Sequence, residues 1–174
     1  VRPRDKGVLQ PGAQLLMKGK TVQTSLALDP LGRTVLPLLK AAYDENAVLT
    51  PNRPLGGFTV KPRVSLALRA DGSYEVADLR AACEQALGFT RYADNSARGL
   101  QCTGVRLVFP KDGEAAGVRV RAGGAEQALA PSRGAAFAGN AADDFPIVTY
   151  RFGTQPAGQV VTYNVPLAIV PLFE

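Results

Sequence analysis

Val64-Ser65-Leu66-Ala67-Leu68-Arg69-Ala70-Asp71-Gly72-Ser73-Tyr74 places an apolar stretch, an Asp-Gly turn and a returning stretch in immediate succession. Glycine supplies the positive φ that a tight turn requires, and an Asp side chain accepts from the backbone two residues further on. The same chemistry occurs twice more. Val22 to Leu28 runs into Asp29-Pro30-Leu31-Gly32, and Val105 to Phe109 runs into Lys111-Asp112-Gly113-Glu114. Return strands are expected at Thr34 to Leu36, Tyr74 to Val76 and Val118 to Val120. In the last of these, Arg119 between two valines shows the alternation of a half-buried strand. Three such hairpins make the expected fold mainly β, of the sandwich or jelly-roll kind.

Two of the copies align without a gap. Ser25-Leu26-Ala27-Leu28 returns as Ser65-Leu66-Ala67-Leu68, Gly32 as Gly72, and Ala41-Ala42 as Ala81-Ala82, a repeat of about forty residues. A fainter third copy pairs Asp71-Gly72 with Asp112-Gly113 and Glu84 to Leu87 with Glu126 to Leu129. One or two short helices follow the hairpins, at Leu38 to Glu45 and Val76 to Leu87. In the second, Leu79, Ala82, Cys83, Ala86 and Leu87 share a face, with Asp78 as N-cap and Gly88 as stop. The third copy breaks at Gly123-Gly124, and residues 130–146 read as a long loop of small residues.

Beyond that loop, Ile147 to Phe152 and Val160 to Val165 are β-branched and aromatic, the chemistry of strands. Leu167 to Phe173 is apolar, but Pro166 and Pro171 restrict it to an edge or crossing strand. Its end, Leu172-Phe173, is expected to dock against a neighbouring surface. The Val64 to Tyr74 hairpin resembles that of prealbumin-like secreted sandwich modules. Arg151 to Pro166 resembles the end of the periplasmic TonB C-terminal domain. Neither resemblance assigns a functional residue.

The chain has 174 residues, of which 46% are hydrophobic and 7% aromatic, with no Trp, 18 Gly and 13 Pro. It contains no histidine, which excludes Ser-His-Asp and Cys-His catalysis, a histidine base and the common His-bearing zinc and copper sites. Gly19-Lys20-Thr21 imitates the end of a phosphate-binding loop. That motif needs a glycine where Gln14 stands and a helix where an apolar strand follows. Asp143-Asp144, and Asp44-Glu45 with Glu84, read as solvated turns and helix faces. No cofactor and no metal is expected, and no enzymatic activity.

The net charge of +5 is spread along the chain, with a local excess in Arg2, Arg4, Lys6, Lys18 and Lys20. No aromatic residue lies among them to stack on a base, so no specific nucleic acid is expected as partner. No run approaches the ~18 apolar residues of a membrane span. Val1 opens the chain without Met, as after Met removal or leader cleavage. Cys83 and Cys102 read as one disulfide, stabilising by roughly 3 kcal/mol, or as two buried thiols.

The expected organisation is an N-terminal arm, residues 1–20, followed by one β-rich domain, residues 21–174. The expected function is that of a structural subunit of a virion capsid or decoration layer, or of an extracellular filament or pilus. It self-assembles with like or neighbouring subunits by strand and arm exchange, outside the cell or in a virion. Val8, Leu9, Leu15 and Leu16 anchor the arm, and Leu172 and Phe173 the C-terminal strand. The competing reading is a monomeric secreted or periplasmic sandwich module whose 130–146 loop meets a ligand.

Overall fold

The computed structural model describes residues 1–3, 11–54, 58–112, 116–138, 144–153 and 158–174, and for residues 2–3 the backbone alone. The protein is mainly β, with antiparallel sheets and two helices, in two compact units, Val1–Pro62 and Arg63–Glu174. The sequence expectation placed its boundary at residue 20, inside the first unit.

In the first unit, β1 (Arg2–Pro3) pairs with β5 (Phe58–Thr59), and a three-stranded sheet has the order β3-β2-β4. Its strands are β2 (Gln14–Lys18), β3 (Gln23–Ala27) and β4 (Val48–Pro51). Leu15, Met17 and Leu26 are its buried core. A short helix, α1 (Lys40–Asp44), precedes β4. The hairpin here is not the expected one. β3 pairs with β2 through the Gly19–Val22 turn, where the Gly19 N–H donates to the Val22 carbonyl at 2.7 Å. Asp29–Gly32 does form a turn: Asp29 Oδ1 accepts from the Leu31 and Arg33 N–H groups, and Gly32 has φ +73°. No return strand follows among the described residues: Arg33 closes back on Asp29, and residues 34–39, interrupted by Pro37, join no sheet.

The second unit is a sandwich. One sheet has the order β10-β11-β7-β13, from β7 (Cys102–Val108), β10 (Ser132–Gly134), β11 (Phe145–Arg151) and β13 (Ala168–Phe173). The other has the order β6-β12-β8-β9, from β6 (Ser73–Glu75), β8 (Val118–Ala122), β9 (Ala125–Ala128) and β12 (Gln159–Thr162). Val105, Leu107, Val148 and Ile169 of the first sheet share one buried cluster with Tyr74, Val118 and Val160 of the second. Alternation turns one face of β7, β8, β11 and β12 into that core, whereas all four residues of β9 are exposed. α2 (Val76–Ala93) adds Val76 and Leu79 to it.

The Asp29–Gly32 and Asp71-Gly72 turns form as read, and their strands were mispaired. Asp71 Oδ1 accepts from the Ser73 N–H and Gly72 has φ +62°, yet the segment before the turn makes only a bridge, Leu66 to Ile169, while β6 after it pairs with β12. β7 likewise pairs with β11 and β13, and β8 with β12 and β9. The Asp71-Gly72 turn carries the chain from the sheet of β13 to that of β6, while Gly113 and Glu114 of the third expected turn lie outside the described residues. The repeat is accordingly not confirmed: turn and helix recur locally, and the pairing does not.

Two further expectations are corrected. α2 starts after Glu75, ahead of Asp78, and passes through Gly88, which sits on an open face where helix continuation meets no obstacle. The 130–146 segment contains the edge strand β10, and Ala136 and Phe137 beyond it are buried. Gly123 and Gly124, at φ +57° and +81°, close the tight β8–β9 hairpin at the point where the third copy was read to break. β13 lies at its sheet edge, where Pro171 leaves no ladder donor missing on the exposed side.

Candidate functional site

The outward face of the β6-β12-β8-β9 sheet carries a polar row. Register sets Glu75, Gln159, Arg121 and Glu126 directly opposite one another across the four strands. Gln159 Nε2 donates to Glu75 Oε1 at 2.5 Å, and Arg121 Nε to Glu126 Oε1 at 3.4 Å. Arg119 Nη1 lies 3.5 Å from the same Glu126 oxygen, and the Tyr163 hydroxyl donates to it at 3.1 Å. Burial pushes the Glu126 carboxyl up, but the Tyr163 hydroxyl and the two arginines outweigh it and hold the group below its ordinary value. It is therefore an ionised acceptor at neutral pH and not a general acid. Around the Gly123-Gly124 turn this face dips into a shallow depression of about 390 Å³, lined also by Glu75, Arg121, Glu126 and Gln159. Such a row offers hydrogen bonds and charge to a polar ligand; it presents no activated nucleophile.

The first unit displays a second feature, an apolar one. Val35, Leu36, Leu38, Leu39 and Tyr43 are exposed, with Leu38 at 98% and Val35 at 86%. Sequence reading took Thr34 to Leu36 for a return strand, so the display became visible only when that strand failed to pair.

The residues singled out from sequence are placed as follows. Cys83 and Cys102 form a disulfide with Cα atoms 6.0 Å apart, tying α2 to β7. Val8 and Leu9 lie outside the described residues. Leu15 is buried and Leu16 half-buried in β2, the central strand of its sheet. Leu172 and Phe173 are half-buried in β13, laddered to β7 of the same chain, and Arg151 Nη1 meets Glu174 Oε2 at 2.6 Å just beyond. Lys20 and Thr21 occupy a hairpin turn, with the Thr21 hydroxyl and N–H donating to the Glu45 carboxylate. Asp44 pairs with Lys40, and Glu84 is exposed on α2. Asp144 is held by Arg133 at 2.9 Å, while Asp143 lies outside the described residues. Among the described residues no group of three His, Cys, Asp or Glu side chains converges as a metal site would require, and no helix is long and apolar enough to cross a membrane.

The polar row was missed in the sequence because its members are separated by whole elements. Only the strand register makes neighbours of Glu75 and Gln159. Compared with known protein families, with curated proteins and with solved structures, the chain finds no match.

Proposed function

We propose that the chain is a non-enzymatic structural subunit of a larger extracytoplasmic assembly, a virion shell or an extracellular filament, whose work is contact with neighbouring copies. The observation that carries this reading is the exposed run Val35 to Leu39 with Tyr43. Large apolar side chains grouped on a surface favour a partner that removes them from water, at about 25 cal/mol per Å² covered. The Cys83–Cys102 disulfide adds support for an oxidising compartment outside the cytosol.

Deleting residues 1–20 is a poor test of this reading, because it removes β2 and with it Leu15 and Met17 of the first core. Leu38→Ser combined with Tyr43→Ser changes only exposed side chains. The double variant is expected to keep its circular dichroism spectrum and to lose assembly by light scattering or electron microscopy. Undiminished assembly would sink the proposal.

The depression on the β6-β12-β8-β9 sheet favours a second reading, a monomeric secreted or periplasmic binding module. Mass measurement in dilute and concentrated solution separates the two, since the module stays monomeric at every concentration.

A further inference from the structure

β9 is an outer strand, and all four of its residues are exposed. Its pairing decides which of its backbone groups are free. The Leu129 N–H donates to the Val118 carbonyl, and on the other side of β8 the Tyr163 N–H donates to the Gly117 carbonyl. Backbone groups alternate along a strand, so Val118, Val120 and Ala122 face β9 while Gly117, Arg119 and Arg121 face β12. Gln127 and Ala125, opposite Val120 and Ala122, therefore turn their backbone groups to β8. Glu126 and Ala128 turn theirs outward, and among the described residues no strand pairs with them.

Most edges of this unit are guarded. β6 has three residues and passes straight into α2, β10 has three residues, and β13 carries Pro171 and bonds Leu66. Among the described residues β9 has no proline, no lysine, no bulge and no cover, and of the devices that keep an edge from adding a strand it carries one charge, Glu126.

We infer that β9 pairs with β9 of a second copy, antiparallel about a two-fold axis through Gln127, so that the two sheets run on as one. This deepens the assembly reading by naming one of its contacts. The register follows from face and charge. A two-fold axis perpendicular to a sheet sets residues of the same face opposite each other. An axis at Glu126 opposes two carboxylates, which is unfavourable across a strand pair. An axis at Gln127 sets Glu126 against Ala128 of the second copy on both sides. That arrangement uses all the outward N–H and C=O groups of Glu126 and Ala128, and brings the two Gln127 side chains together at a non-hydrogen-bonded position. So short a contact falls below the ~1,200 Å² of a stable interface, which makes the dimer concentration-dependent.

Gln127→Cys tests the axis directly. Cα atoms at such a position lie about 4.5 Å apart, within disulfide range. Mild oxidation is expected to give a covalent dimer on a non-reducing gel from Gln127→Cys and none from Ala125→Cys. Ala128→Pro removes an outward donor and no ladder bond, so it should abolish concentration-dependent dimerisation in sedimentation velocity while leaving the circular dichroism unchanged. A wild-type chain monomeric at every concentration, or equal crosslinking at residues 125 and 127, overturns the inference and leaves the edge to a strand from another protein. The outcomes separate from those of the assembly reading. If Leu38→Ser with Tyr43→Ser loses assembly and Ala128→Pro does not, the β9 contact alone fails. If Gln127→Cys crosslinks and no larger particle forms, the dimer stands and the assembly reading fails.

Discussion

Glu45 shows how much of a residue's role is set by what faces it. In sequence it sits beside Asp44 in a helix-forming run, and nothing distinguishes the two. In the structure the Thr21 hydroxyl and N–H both donate to its carboxylate, which fastens the β2–β3 turn and holds the group below the ordinary glutamate value. A carboxyl whose folded value is depressed stabilises the fold above its unfolded value, and that contribution is lost as pH falls through the folded one. Acidification is therefore expected to loosen the Gly19–Val22 turn only below the usual carboxylate range. An NMR titration of Glu45 checks this, with Thr21→Val returning its midpoint upward; a midpoint unmoved by Thr21→Val would discount the contact. Gly19 belongs to the same arrangement, since a Cβ there would run into the Glu45 carboxylate.

Among the elements, α2 was the most legible. Its buried residues Val76, Leu79, Cys83, Ala86 and Leu87 include four of the five assigned to one face, because a 3.6-residue period is written in the chain itself. Its end was not legible. Gly88 costs helix roughly 1 kcal/mol relative to Ala, too little to stop a helix already held by its buried face from Val76 to Leu87. Cys83, fully buried on α2, reaches Cys102 at the start of β7 with a separation of 19 residues. Replacing both cysteines by alanine is expected to destabilise the second unit by about 3 kcal/mol, read from urea denaturation under non-reducing conditions. A change below about 1 kcal/mol would mean that α2 is held by packing alone. The strands were legible as strands, and their neighbours were not. Ile147 to Phe152 and Val160 to Val165 look like a pair in the sequence, yet β11 and β12 belong to different sheets.

For the molecule as a whole, the division at Pro62–Arg63 leaves two cores of unequal size. Leu15, Met17 and Leu26 form the first, and a cluster that includes Val105, Leu107, Phe109, Val148, Val160 and Ile169 forms the second. A small core buries too little surface to offset much chain entropy. Brief proteolysis is expected to leave Arg63–Glu174 intact with its disulfide, and urea to unfold the first unit before the second. Mass spectrometry and residue-resolved NMR read the two outcomes, and a single cooperative transition over both units would contradict them. The sequence by itself determined that the protein is β-rich, where the Asp29–Gly32 and Asp71-Gly72 turns lie, which face of α2 is buried and that histidine chemistry is absent. Those properties depend on residue type and local spacing. Only the tertiary structure decided which strands meet, that the Asp71-Gly72 turn crosses between sheets, that Glu75, Gln159, Arg121 and Glu126 form one row, and that Val35, Leu36, Leu38 and Leu39 stay uncovered. Strand pairing is a long-range choice among backbones that are chemically alike, settled by how two sheets close over one core.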